Sequence, residues 1–183
     1  MALIIEDGTQ IAGANSYVSL ADARTIATAY GATLATDDAE AEKNLIVAYQ
    51  WLKTPDIEST LQGERLSDLD TSTTQTGCYP RTPVYIRGNL IDKNTIPLEL
   101  IEAQVIASFA NQSQSILMPA TASTSGAVKK EQLDGVGTVE YYEGSAGDST
   151  TSQLNFALEL LKPLLKSALS TSFGSPYAVK GYN

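Results

Sequence analysis

The sequence predicts a mainly α protein: a small four-helix, bundle-like domain with a projecting β-hairpin and an extended C-terminal tail. Three observations carry this prediction. Apolar residues recur at helical spacing in four segments, about 19–31, 37–54, 96–111 and 152–167. Between the last two, "GAVKKEQLDGVGTVEYY" reads as two short strands around a Gly-rich turn, a ribbon over about 127–142. The final segment, "SALSTSFGSPYAVKGYN", has no periodicity but holds three aromatics, so the domain is drawn at 1–166 and the tail at 167–183.

Each element has a local cause. Ser19 can cap the first helix, with Asp22 as the capping-box acid, and Gly31 is placed to end it. Leu20, Ala23, Ala27 and Tyr30 fall on one face. The second helix opens on Asp37, Asp38, Glu40 and Glu42, which suit the positive end of a helix dipole. Ala41, Leu45, Ala48, Tyr49 and Leu52 form its buried stripe, with Trp51 beside them and Pro55 as boundary. Residues 56–96 read as irregular apart from a tiny hairpin in "VYIRGNLID", turning at Gly88-Asn89. The third helix takes Thr95 as cap and Pro97 in its first turn, with Leu98, Ile101, Val105, Ile106 and Phe109 as its apolar face. In the fourth, Leu154, Ala157, Leu158, Leu161, Leu164 and Leu165 form the stripe, and Pro163 predicts a kink or a late-turn proline.

The totals exclude several kinds of chemistry. The 183 residues contain no histidine, which removes the usual general base and most transition-metal sites. Cys78 is the single cysteine, so neither an intrachain disulfide nor a cysteine zinc site can form. No enzyme activity and no cofactor are expected. No apolar run approaches the ~18–20 residues of a membrane span, and "MALIIEDGTQ" does not read as a secretory signal. The net charge is −9, unevenly spread: residues 1–148 hold 20 acids and 9 bases, residues 149–183 hold 1 acid and 3 bases. Such an acidic surface repels nucleic acid, and the basic C-terminal segment suits an acidic partner.

Candidate motifs weigh towards structural roles. "DLDTSTTQTG" begins D-x-D but lacks the glycine and terminal glutamate of a calcium loop. Glu99 and Glu102 lie one turn apart, where acids favour the start of a helix. Lys129 and Lys130 with Tyr141 and Tyr142 could interleave charge and aromatics for a single strand, but Glu131, Asp134, Glu140 and Glu143 cancel that charge. The tail, with Phe173, Tyr177, Lys180 and Tyr182, suits docking onto another subunit; extended, it reaches roughly 55 Å.

Three stretches occur in register, "ALIIEDGTQIAGANSYVSLADA", "CYPRTPVYIRGNLIDKNTIP" and "GAVKKE…VEYY", followed by a Leu/Pro-rich helix. Together they resemble a tailed-phage family labelled DnaT-like single-strand DNA-binding proteins, itself similar to head–tail connector adaptors. The resemblance spans about residues 1–166; this chain departs in the longer ribbon turn "LDGVGT", in its aromatic tail and in Tyr79, where tryptophan is expected. It implies a virion neck protein, assembled in the host cytoplasm into a homo-oligomeric ring of twelve copies beneath the portal. The implied partners are the portal protein and a downstream neck or tail-completion protein, with double-stranded DNA passing through the lumen. The tail residues would dock on the portal, and Val128, Lys130, Leu133, Val139 and Tyr141 of the ribbon would pack between subunits. The alternative is that the chain itself binds single-stranded DNA, which calls for a basic groove with stacking aromatics.

Overall fold

A computed structural model describes residues 2–70, 74–114 and 149–166. Among these the protein is mainly α, with six helices and two small antiparallel sheets. The predicted ribbon and the C-terminal tail lie outside the described residues.

Helix α1 (Leu20–Ala29) starts as its sequence predicts: Ser19 Oγ accepts the Asp22 N–H at 3.1 Å and donates to the Asp22 carboxylate at 2.6 Å. Helix α2 (Asp38–Leu52) is capped by Asp37, whose carboxylate accepts the Glu40 N–H at 2.9 Å. All five residues of its predicted stripe are buried. Tyr30, predicted on the buried face of α1, is exposed instead, because the helix has ended by that point and its ring turns towards Phe156.

The described residues between 55 and 96 hold more regular structure than the sequence suggests. They form α3 (Pro55–Glu58), β1 (Glu64–Arg65), α4 (Leu66–Leu69), β2 (Arg81–Thr82), β3 (Tyr85–Ile86) and β4 (Asn89–Leu90). Strand β1 pairs with β2, Glu64 opposite Thr82; β3 pairs with β4, Tyr85 opposite Leu90 and Ile86 opposite Asn89. This register puts the turn at Arg87-Gly88, one residue before its predicted place. Both residues have positive φ, 52° and 80°, the two-residue turn whose twist matches that of its strands.

Helix α5 (Leu98–Gln114) is the centre of the fold and packs against α1, α2 and α6 (Ser149–Leu161). It begins after Pro97, whose carbonyl accepts the Ile101 N–H at 3.3 Å, so Thr95 falls outside the cap position. Being surrounded, α5 is buried on more than one face: Leu100, Ala103, Val105, Ile106, Ala107 and Ala110 are all covered, while Leu98 at the helix end is exposed. The small side chains allow its neighbours to approach closely. Helix α6 passes into a 3-10 turn, Lys162–Leu164, that holds Pro163; this is the late-turn proline of the sequence reading. Leu161 and Leu164 are buried as predicted, but Leu158 faces outwards.

Buried polar groups fasten these pieces. Gln104 of α5 accepts the Tyr17 N–H at 3.0 Å and donates to Ser16 Oγ and the Leu45 carbonyl, joining the N-terminal segment to α2. The buried Glu6 carboxylate accepts the N–H groups of Gly8, Gln10 and Ile11, each at 2.9 Å, and so holds the first loop.

Candidate functional site

The middle segment presents the β3–β4 hairpin at the surface, and a few buried side chains fix its position. The Gln62 amide donates to the Tyr85 carbonyl at 3.2 Å and to the Pro163 carbonyl at 2.8 Å, while its oxygen accepts the Tyr85 N–H at 3.0 Å. One side chain thereby clamps the hairpin to the end of α6. Leu61 bridges Leu165, and the Lys166 N–H donates to the Thr60 carbonyl at 2.9 Å. Beneath them the buried Arg81 guanidinium donates to the carbonyls of Gln62, Gly63 and Cys78 and faces Glu58 at 3.6 Å. Its planar fork serves three acceptors at once.

Behind Arg81 lies a cluster of tyrosines around Cys78. The Tyr17 and Tyr49 rings are 4.8 Å apart, and the Tyr17 hydroxyl lies 3.3 Å from the Cys78 sulfur. Gly77 passes so close to the Tyr17 and Tyr49 hydroxyls that a β-carbon there would collide with both. Burial pushes the Cys78 thiol up to about 11 and raises Tyr17, Tyr49 and Tyr79 above their usual range. A buried, protonated thiol is neither nucleophile nor metal ligand. Among the described residues no group of histidine, cysteine, aspartate and glutamate is placed to hold a metal.

Two surface features remain. The first is a cationic corner where the hairpin meets α6, with Arg87 at the hairpin tip and Lys162 and Lys166 at the helix end, all exposed. Leu90 of the same hairpin is exposed, across the ladder from the half-buried Tyr85. The second is a shallow cleft of about 380 Å³ between the end of α1, α5 and α6, lined by Tyr30, Ala32, Ile106, Phe109, Gln153 and Phe156. Tyr30 and Phe156 meet edge to face, ring centres 5.6 Å apart. Partial burial, then the hydrogen bond and charge of Glu102, raise the Tyr30 hydroxyl. Glu102 is thus half-buried beside an aromatic ring rather than solvated on an outer face.

Of the residues singled out in the sequence, Phe173, Tyr177, Lys180 and Tyr182 of the tail lie outside the described residues. So do Val128, Lys130, Leu133, Val139 and Tyr141 of the ribbon. Sequence reading missed the cationic corner because Arg87 stands 75 or more positions from Lys162 and Lys166; Gln62, a polar residue in an irregular stretch, gave no hint that it joins the elements that carry them.

These features define a small, mainly α protein. The chain belongs to the family described as "Putative DnaT-like ssDNA binding protein", which matches residues 1–179. No curated protein and no solved structure matches the chain. The family match corrects the head–tail connector reading. The matched family is described by single-strand DNA binding, so the neck adaptor, the dodecameric ring, the portal and downstream neck partners and the duplex passing through a lumen do not stand. A net charge of −9 does not settle a local question: a polyanion is held by the groups it touches, and the charge of this chain is unevenly distributed.

Proposed function

We propose that this chain binds single-stranded DNA. The observation that carries the reading is the family match across residues 1–179, nearly the whole sequence. Two features of the surface support it. Single-strand binders combine cations that follow the backbone with aromatic faces on which bases stack. Here the cationic corner supplies the first, and the exposed rings of Tyr30 and Phe156 supply the second. Both surfaces draw on α6, so a strand lying along that helix meets a ring at Phe156 and a cation at Lys162. We take the four long helices as a bundle-like scaffold that holds these groups rigidly around α5. We further propose that the role is non-catalytic, since the sequence has no histidine and its cysteine is sequestered.

The test is fluorescence anisotropy with a labelled thymidine oligonucleotide and, in parallel, a duplex of equal length. Binding of the single strand in preference to the duplex is the expected result. No binding of the single strand at low salt would overturn the proposal.

A further inference from the structure

We infer that the corner between the β3–β4 hairpin and the end of α6 is the phosphate-contacting part of the single-strand site, with Arg87, Lys162 and Lys166 as its cations. The inference rests on the DNA-binding reading above and adds a place and a residue set to it.

Most of the other described cations are already engaged. Arg24 is engaged three ways, with the Ala35 and Thr36 carbonyls and with Asp38. Arg65 faces Glu58 and Asp68, and Arg81 is buried. Lys53 lies 5.7 Å from the centre of the Tyr49 ring, and Lys43 sits on α2 among Asp38, Glu40 and Glu42. Lys93 follows Asp92 and shares a cleft with Asp70. Arg87 has no carboxylate within ion-pair distance among the described residues, and Lys166 donates to the Ser59 carbonyl at 2.8 Å, which leaves its charge uncancelled. Lys162 pairs with Glu159, but both partners are more than half exposed, and water screens such a pair strongly. A phosphate can compete for that ammonium.

Geometry then joins the elements that carry the three. Gln62 holds Tyr85 and Pro163 on one amide nitrogen, so the strand that leads to Arg87 runs beside the turn that carries Lys162. Lys166 follows at the end of the same turn. Of the acids on the adjoining elements, Glu58 is turned inwards to Arg65 and Arg81 and Glu159 is paired to Lys162, while Asp92, five residues after Arg87, accepts the Asn94 N–H and Asp56 stands on α3. The Arg87 turn conformation also points to use. A non-glycine residue at φ 52° is uncommon, and arginine gains nothing there from the local hydrogen bonding that favours asparagine.

The test compares four proteins by anisotropy with the labelled thymidine oligonucleotide at about 50 mM salt. They are the unaltered chain, the triple variant Arg87→Gln/Lys162→Gln/Lys166→Gln, the charge-keeping variant Arg87→Lys/Lys162→Arg/Lys166→Arg, and Lys43→Gln as a distant control. The neutral triple variant should lose roughly ten- to a hundredfold in affinity, and the slope of log K against log salt should flatten by about 2, three contacts at about 0.7 each. The charge-keeping variant and Lys43→Gln should bind within about threefold of the unaltered chain. A neutral triple variant that binds as tightly as the unaltered chain overturns the assignment while leaving the DNA-binding reading intact. Equal losses in the neutral and charge-keeping variants also overturn it, because the positive charges are then not what binds. Failure of the unaltered chain to bind overturns the DNA-binding reading, and this site with it.

Discussion

The hydroxyl of Tyr17 accepts the backbone N–H of Tyr79 at 3.0 Å, joining two residues 62 positions apart inside the core. Both side chains are buried, so water cannot replace this bond if it is lost. Tyr17→Phe keeps the ring and its packing on Tyr49 but leaves the Tyr79 N–H without its acceptor. The expected loss is about 1–3 kcal/mol, the desolvation penalty of a buried unsatisfied donor. Urea unfolding followed by circular dichroism measures it; an unchanged midpoint would show that the amide finds another partner.

The same cluster makes the fold sensitive to alkali. Burial raises Cys78 from its ordinary value of 9.0 to about 11, and raises Tyr17, Tyr49 and Tyr79 in the same direction. The acid form of each group is the neutral one, and the folded state keeps its proton to higher pH than the unfolded chain does. Their stabilising effect is therefore complete below pH 9.0, falls as the unfolded thiol and phenols begin to lose protons, and for Cys78 is gone above about 11. Melting temperature should be flat with respect to these groups up to pH 9.0 and should drop between there and about 11. Thiol reagents should modify Cys78 at neutral pH only after denaturant is added; rapid modification of the folded chain would contradict its burial.

Arg81 is the polar centre of the middle segment, donating to three carbonyls at 2.7–3.2 Å. Arg81→Ala strands those acceptors and removes a partner of Glu58, and should destabilise by about 3–5 kcal/mol. Arg81→Lys should recover little of that, because one ammonium cannot reach acceptors that a planar fork spans. Thermal unfolding of the two variants decides the matter. A lysine variant as stable as the parent would mean that charge, not geometry, holds the segment.

These dependencies explain which parts of the fold were legible in the sequence. The caps at Ser19 and Asp37 and the stripe of α2 were readable because their causes lie within four residues along the chain. Hairpin β3–β4 was visible from its turn chemistry, but its register slipped by one, since Arg87 in a left-handed position violates the preference that placed the turn at Gly88-Asn89. Helix α5 was legible as a helix and misread as a one-sided amphipath: Gln104, Ser108 and Asn111 look like surface residues and are buried. Periodicity assumes a solvent side, and a surrounded helix has little of one. The cationic corner was invisible, because the hairpin and the end of α6 are joined by contacts that Gln62 and Leu61 make across the chain.

In the proposed site, Arg87 sets stability against function. Asparagine occupies the first position of this turn with less strain than arginine does. Arg87→Asn should therefore raise stability by about 0.5–1 kcal/mol while weakening single-strand binding severalfold. Chemical denaturation and anisotropy on one preparation read both effects. If stability and affinity both rise, Arg87 is not a phosphate contact; if stability falls, the side chain makes a contact that compensates for its backbone conformation.

Salt dependence separates local from global electrostatics. Three phosphate contacts give a slope of log K on log salt near −2, so affinity should fall roughly 20-fold between about 50 and 200 mM. The net charge of −9 works the other way. Salt screens the long-range repulsion between the acidic body and the strand, over a distance of about 8–10 Å under these conditions, and returns part of what counterion release removes. The observed slope should accordingly lie between zero and about −2, far from the roughly 300-fold loss expected over this range for six phosphate contacts on a single strand. An anisotropy titration across that range measures it directly. A slope steeper than about −4 would require more cations on the strand than the hairpin and α6 supply, and would move the site away from this corner.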